Sequence, residues 1–220
     1  VAAHGLTVAC VRTGTKYGNQ YVERLRNGVA RHLHRPYRFV CLTDQPERIA
    51  QVEYEPIGDL QLPGWWAKMY LFAHNWRYGQ RVIFLDLDMV ICSDIGKLAE
   101  VTEPFAICDN FTRRAGGHWP CRYSSACMVF NPELDSGVWE RFEQNRRGYI
   151  KGPYEKYGDQ RIIELLYPNA ALLQPKVGEH FFLHYRWLTR NRPANVAVVV
   201  FAGRNKPDNT AIDWVKREWY

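Results

Sequence analysis

The strongest constraint on this chain lies in Arg81-Val82-Ile83-Phe84-Leu85-Asp86-Leu87-Asp88-Met89-Val90-Ile91. The apolar, partly β-branched run Val82–Leu85, with Leu87 and Val90 beyond, has the composition of a buried strand. Two carboxylates then follow one residue apart. Burying one carboxylate is costly, and burying two together is worse unless a cation or protons compensate. In an extended chain, residues i and i+2 share a face, so Asp86 and Asp88 are expected to converge on one ion. Hard oxygen donors of this kind suit Mg²⁺ or Mn²⁺. The plainer reading is a solvated strand end, with Ser93-Asp94 capping a helix over Ile95–Glu100.

The rest of the chain supplies an α/β order. Leu6–Val11 reads as a first buried strand, followed by Arg12-Thr13-Gly14-Thr15-Lys16-Tyr17-Gly18. That loop mixes glycine, hydroxyls and cations, a composition suited to anions, but its glycine spacing fits neither a Walker A loop nor a Rossmann fingerprint. Tyr21–His34 has helical periodicity and is stopped by Pro36. Arg38–Leu42 is a second strand ending in Thr43-Asp44, so a βαβ unit opens a parallel sheet whose ligands are expected at the carboxyl ends of strands. Val52–Ile57 reads as a short third strand. Leu62–Lys68 leads into a helix through His74 that Gly79 closes, with Lys68 near its start.

Downstream, strands are expected over Val101–Cys108, Ala126–Phe130 and Val196–Phe201. Helices are expected over Val138–Asn145 and Arg161–Leu166, with Asp159 as a cap or buried polar group. The stretch from Asn110 to Tyr123 reads as a long loop. Trp214 and Trp219 are expected to dock on the body.

At 220 residues, 46% hydrophobic and 24% charged, the chain is long enough for one domain spanning 1–220 and too apolar for wholesale disorder. The net charge of +6 favours anionic partners. Lysines and arginines are dispersed and no nucleic-acid motif occurs, so nucleic acid is not an expected partner. No apolar run is long enough to span a bilayer. Six cysteines without a Cys-x-x-Cys pair read as buried reduced thiols in a cytoplasmic protein, not as a zinc site or disulfide framework.

The assembled order resembles a GT-A fold glycosyltransferase of the glycogenin and lipopolysaccharide galactosyltransferase group. It is carried by the Thr-containing first loop, Thr43-Asp44, Trp65-Trp66-Ala67-Lys68, the Asp-x-Asp, Ser124-Ser125-Ala126, Gly158-Asp159-Gln160 and Gly203-Arg204-Asn205-Lys206-Pro207. The resemblance implies a single Rossmann-like α/β domain with a mostly parallel mixed sheet flanked by helices. It also implies a nucleotide-sugar donor, usually UDP-linked, a divalent Mn²⁺ or Mg²⁺, and retention of anomeric configuration. On that basis Val11, Arg12 and Thr13 lie beside the nucleotide, Asp44 near the base or ribose, and Lys68, Gly203 and Lys206 near the diphosphate. Asp86, Leu87 and Asp88 lie between ribose and metal, with Asp86 and Asp88 as ligands. Ser124, Ser125 and Ala126 line the sugar pocket, and Asp159 and Gln160 serve the reacting carbon. Elements for an unidentified saccharide, lipid-linked or protein acceptor fall within about 110–190.

One departure stands out. The group's third metal ligand, a histidine at the last strand, is replaced by Val199-Val200-Phe201-Ala202-Gly203, and His180 and His184 lie upstream of it. Two other readings compete. A haloacid-dehalogenase-type phosphatase shares the strand-terminal Asp-x-Asp, but Met89-Val90 stands where Gly-Thr is expected. A non-catalytic nucleotide-sugar binder is suggested by the missing histidine.

Overall fold

The computed structural model describes residues 5–45, 49–73, 76, 80–114, 116–132 and 134–220. Among the described residues ten strands run in chain order: β1 (Leu6–Arg12), β2 (Arg38–Thr43), β3 (Glu53–Pro56), β4 (Arg81–Leu85), β5 (Met89–Ile91), β6 (Phe105–Asp109), β7 (Tyr123–Phe130), β8 (Ala171–Leu172), β9 (Phe182–His184) and β10 (Val198–Val200). Seven form a central sheet in the order β3-β2-β1-β4-β7-β6-β8. Strands β3, β2, β1 and β4 are mutually parallel, β7 runs antiparallel to β4 and β6, and β8 is parallel to β6. The expected mostly parallel mixed sheet flanked by helices is therefore observed. One border strand, β3, is only half-covered, and the other, β8, is two residues long. A second sheet, β5-β10-β9, adjoins the first.

The apolar faces of the central sheet are covered on both sides. On one, the helix Asn19–His32 buries Tyr21, Val22, Leu25 and Val29. Gly28 lets this helix approach β5 closely, since a Cβ there would lie 3.1 Å from Ile91 Cβ. On the other side lie Trp66, Met69, Leu71 and Phe72 of the segment Gly64–Phe72, with the helices Val138–Gln144 and Asp159–Leu166. Phe72, Phe105 and Phe130 meet there with ring centroids 5.1 Å apart. Trp214 and Trp219 are buried, as expected, around the helix Asp213–Glu218.

Several expectations are corrected. The helix expected after Lys68 is a 3-10 segment, Gly64–Phe72, buried over most of its surface and lacking a polar face to turn toward water. The part expected to reach His74 and Gly79 lies outside the described residues. The helix expected over Ile95–Glu100 is likewise a 3-10 segment, Gly96–Glu100, although Asp94 does accept a hydrogen bond from the Gly96 N–H at 2.8 Å. Strand β6 begins at Phe105, after Pro104, which has no N–H to give a ladder. The loop expected from Asn110 to Tyr123 contains a helical turn, Phe111–Arg114. Its start is marked by Asn110, whose Oδ1 accepts from the N–H groups of Thr112 at 3.0 Å and Arg113 at 3.3 Å. β7 starts at Tyr123, so Ser124 and Ser125 belong to a strand.

Phe105→Ala is expected to lower unfolding free energy by about 3–5 kcal/mol, because the cavity lies inside a packed aromatic cluster. Urea denaturation followed by far-ultraviolet dichroism measures it.

Candidate nucleotide and sugar site

Asp86 and Asp88 do not lie on one continuous strand. β4 ends at Leu85, and Asp86, Leu87 and Asp88 form a turn in which the Met89 N–H donates to the Asp86 carbonyl at 3.1 Å. The chain then enters β5 in the second sheet. The expectation of an extended i, i+2 face is thus overturned: the turn arises because the chain changes sheets. The turn is fixed from the other side as well, by the Asp86 N–H donating to the Ala126 carbonyl at 2.9 Å.

Each carboxylate is matched by an ammonium group. Lys68 Nζ lies 2.7 Å from Asp86 Oδ1 and 2.9 Å from Oδ2, with the Ser125 hydroxyl at 3.4 Å. Lys206 Nζ donates to Asp88 Oδ2, which also accepts from the Tyr17 hydroxyl at 3.0 Å. Burial pushes the Asp86 carboxyl up to about 7 against the pull of Lys68, and the nearby Asp88 adds to the rise. Burial alone would lower Lys68, but Asp86 and Asp159 outweigh it and hold the ammonium above its ordinary value. Lys16 is lowered, by burial first and then by Lys206.

These groups line one cavity of about 610 Å³. Of the residues expected at the site, Val11, Thr13, Lys68, Asp86, Leu87, Asp88, Ser124, Ser125, Ala126, Asp159, Gln160, Gly203 and Lys206 line it. Arg12 and Asp44 do not. Arg12 is buried and donates to the carbonyls of Tyr17 at 3.1 Å and Gln45 at 3.2 Å, holding the loop after β1 against the loop after β2. Both oxygens of Asp44 accept from the Gly14 N–H, at 3.2 and 3.0 Å. These two residues shape the loop that carries Thr13, Lys16 and Tyr17.

Asp159 opens the helix Asp159–Leu166 and is 4% exposed. Among the described residues its Oδ2 is buried without a hydrogen-bond partner, a costly state for a carboxylate oxygen, although Asp159 also acts through its charge on Lys68. With the Gln160 amide turned so that its oxygen faces the indole, Trp119 Nε1 donates to that oxygen at 3.0 Å and the amide nitrogen donates to the Tyr123 carbonyl at 3.3 Å.

His184, upstream of the last strand, also lines the cavity. The pairing of β9 with β10 places it opposite Val200, beside the strand where the histidine was sought. The alternating pattern of Phe182-Leu183-His184 was its only signal. Burial drives its imidazole down to about 4, so it is neutral at pH 7, and it stacks on Phe111 with centroids 5.6 Å apart. A divalent ion is compatible with the hard oxygens of Asp86 and Asp88, and Asp159 lines the same cavity. Among the described residues, however, no three His, Cys, Asp or Glu side chains form a metal-sized cluster. The six cysteines are free and buried.

The raised Asp86 fixes the sign of a pH effect. With its folded value near 7 and the ordinary carboxylate value of 3.8, the folded state binds the extra proton between those limits. This contribution to stability is therefore full at low pH and is lost as pH rises through 7. Urea midpoints from pH 4 to 8 should show Asp86→Asn losing that falling limb, apart from a constant offset for the unpaired Lys68.

No protein-family model and no curated protein matches the sequence. Solved structures do. The galactosyltransferase LgtC, solved with donor and acceptor sugar analogues, superimposes with a TM-score of 0.62 at 13% identity, over 96% of this chain and 93% of its own. The glycosyltransferase GlyE of Streptococcus pneumoniae gives 0.70 at 13% identity, over 99% of this chain and 61% of its own. The bifunctional glycosyltransferase WbbM gives 0.63 at 14%, over 99% of this chain and 50% of its own. This chain thus spans less than two thirds of GlyE and of WbbM. At such identities the likeness shows the architecture: the chain has the GT-A, Rossmann-like fold of these glycosyltransferases.

Proposed function

We propose that this chain is a glycosyltransferase that moves a sugar from a nucleoside-diphosphate donor, most simply a UDP-sugar, to an acceptor hydroxyl, using residues 1–220 as one nucleotide-sugar-binding unit. The observation that carries the reading is the one cavity in which Lys68, Lys206, Asp86, Asp88 and the buried Asp159 meet at the carboxyl end of β4. The phosphatase reading loses ground: its Asp-x-Asp is followed here by a change of sheet within this glycosyltransferase fold.

In the reaction, the bond between the anomeric carbon and the phosphate oxygen breaks and its electron pair leaves with the diphosphate. A bond forms to the acceptor oxygen, whose proton passes to the departing diphosphate. Negative charge grows on the departing phosphate, where Lys68 and Lys206, already fixed, stabilise the transition state more than the ground state. Positive charge grows on the sugar ring, and the buried carboxylate of Asp159 is placed to offset it. LgtC has also been solved as an active-site mutant in which glutamine is replaced by glutamate. Gln160 is the glutamine of this cavity, and we assign it to the sugar side with Asp159, consistent with a retaining transfer. Asp86 and Asp88 would hold Mn²⁺ or Mg²⁺, with diphosphate and water completing the shell. Such an ion supplies further neutralisation of the leaving group. No described helix is long and apolar enough to cross a membrane.

Calorimetry with UDP, GDP and their sugar conjugates, with and without Mn²⁺, tests the donor. Asp88→Asn is expected to reduce transfer at least ~100-fold while keeping the fold, since a transition-state contact worth about 2.7 kcal/mol is lost. Unchanged turnover in a folded Asp88→Asn protein would sink the assignment.

A further inference from the structure

Beyond the phosphate-facing half, the same cavity has a second wall built from different chemistry: Trp65, Trp119, Tyr157 and Lys156. Trp65 is 50% exposed, although a large indole gains by burial. It is seated on Gly158, which has φ +69°, and a Cβ there would lie 3.0 Å from the Trp65 Nε1. A side chain at 158 would therefore push the indole away. Trp119 stands perpendicular to Tyr157 at 6.0 Å, and its Nε1 lies 3.0 Å from the Gln160 side-chain amide. The aromatic wall is thus continuous with the residues assigned to the reacting sugar. Lys156 sits 4.8 Å from the centre of the Tyr157 ring and has no carboxylate within ion-pair distance among the described residues, whereas Lys68 and Lys206 each have one.

An exposed indole fixed from behind, with a partly buried one beside a polar reaction centre, suits the apolar C–H face of a pyranose ring, while the ring's hydroxyls reach outward. An uncompensated ammonium at the same edge favours negative charge on that ring. We infer that the Trp65–Trp119–Tyr157 wall is the acceptor subsite and that its occupant is a saccharide bearing an anionic substituent, a carboxylate or a phosphate. This inference rests on the glycosyltransferase reading of the cavity.

The test uses methyl glucuronide, glucose 6-phosphate and neutral methyl glucoside, titrated with UDP present, and reads tryptophan fluorescence and saturation-transfer NMR. Both anionic sugars, or one of them, should bind more tightly than the glucoside; which one does so distinguishes carboxylate from phosphate. Trp65→Ala should weaken the anionic sugar about tenfold or more, with Trp65→Phe retaining most of the affinity. Lys156→Gln should abolish the preference for the charged sugar and leave glucoside binding unchanged. UDP affinity, measured by calorimetry, should be the same in all three variants. Wild type that binds UDP but none of the sugars overturns the subsite alone. Equal binding of charged and neutral sugars, or indifference to Trp65→Ala, overturns it too. A wild type that binds no nucleotide overturns the donor reading instead, and the sugar titrations then decide the aromatic wall separately.

Discussion

Two lysine–carboxylate pairs hold the functional end of the molecule together. Asp86 and Asp88 lie at the exit of a strand whose preceding residues, from Val82 to Leu85, are fully buried, where unpaired charge is not tolerated. Their partners arrive from far along the chain, Lys68 from 18 residues before Asp86 and Lys206 from 118 residues after Asp88. Compensating the two charges thus joins three segments: the 3-10 segment after Pro63, the β4–β5 turn and the loop after β10. Asp208 adds to the closure by accepting from the Tyr21 hydroxyl at 2.8 Å, which ties that loop to the first helix. Removing either carboxylate strands a buried ammonium, so the pairs are expected to matter for order at the site as much as for chemistry.

The change of sheet at Asp86–Asp88 explains how one cavity acquires two unlike walls. β4 continues into the central sheet, whose β7 neighbour brings Ser124–Ala126, while β5 leads to the small sheet that presents His184 and Phe201. The helix beginning at Asp159 closes the space from the aromatic side. The charged floor and the aromatic flank meet in shared segments: Trp65 and Lys68 both belong to Gly64–Phe72, and Gly158, which seats Trp65, directly precedes Asp159.

Much of this was legible in the residues. β1, β2, β4 and β10 were visible as short apolar runs, and the polar residues at their ends marked the ligand side of a parallel sheet. The failures have physical causes. Period-2 reasoning extended the strand through Asp86–Asp88, because Leu87, Val90 and Ile91 keep the apolar pattern while the chain moves to another sheet. His184 was missed because a three-residue strand carries too little periodicity, and only its pairing with Val200 brings it inward. Arg12 and Asp44 look like anion and ribose ligands by composition, yet backbone groups of neighbouring loops claim them. Composition identifies a polar group's chemistry and leaves its partner to the tertiary fold.

The borders of the central sheet bear on how this protein behaves when concentrated. β3 leaves one row of backbone donors and acceptors open along its outer side, a template on which a second chain could add a strand. Its sequence opposes this: Glu53 and Glu55 place two acids on four residues, Pro56 ends the strand without an N–H, and Arg38 clasps Glu53 from the adjacent strand. The opposite border, at two residues, is too short to nucleate a ladder. Neutralising Glu53 and Glu55 together would remove that protection, and self-association through β3 rather than loss of fold is the failure this molecule would then show.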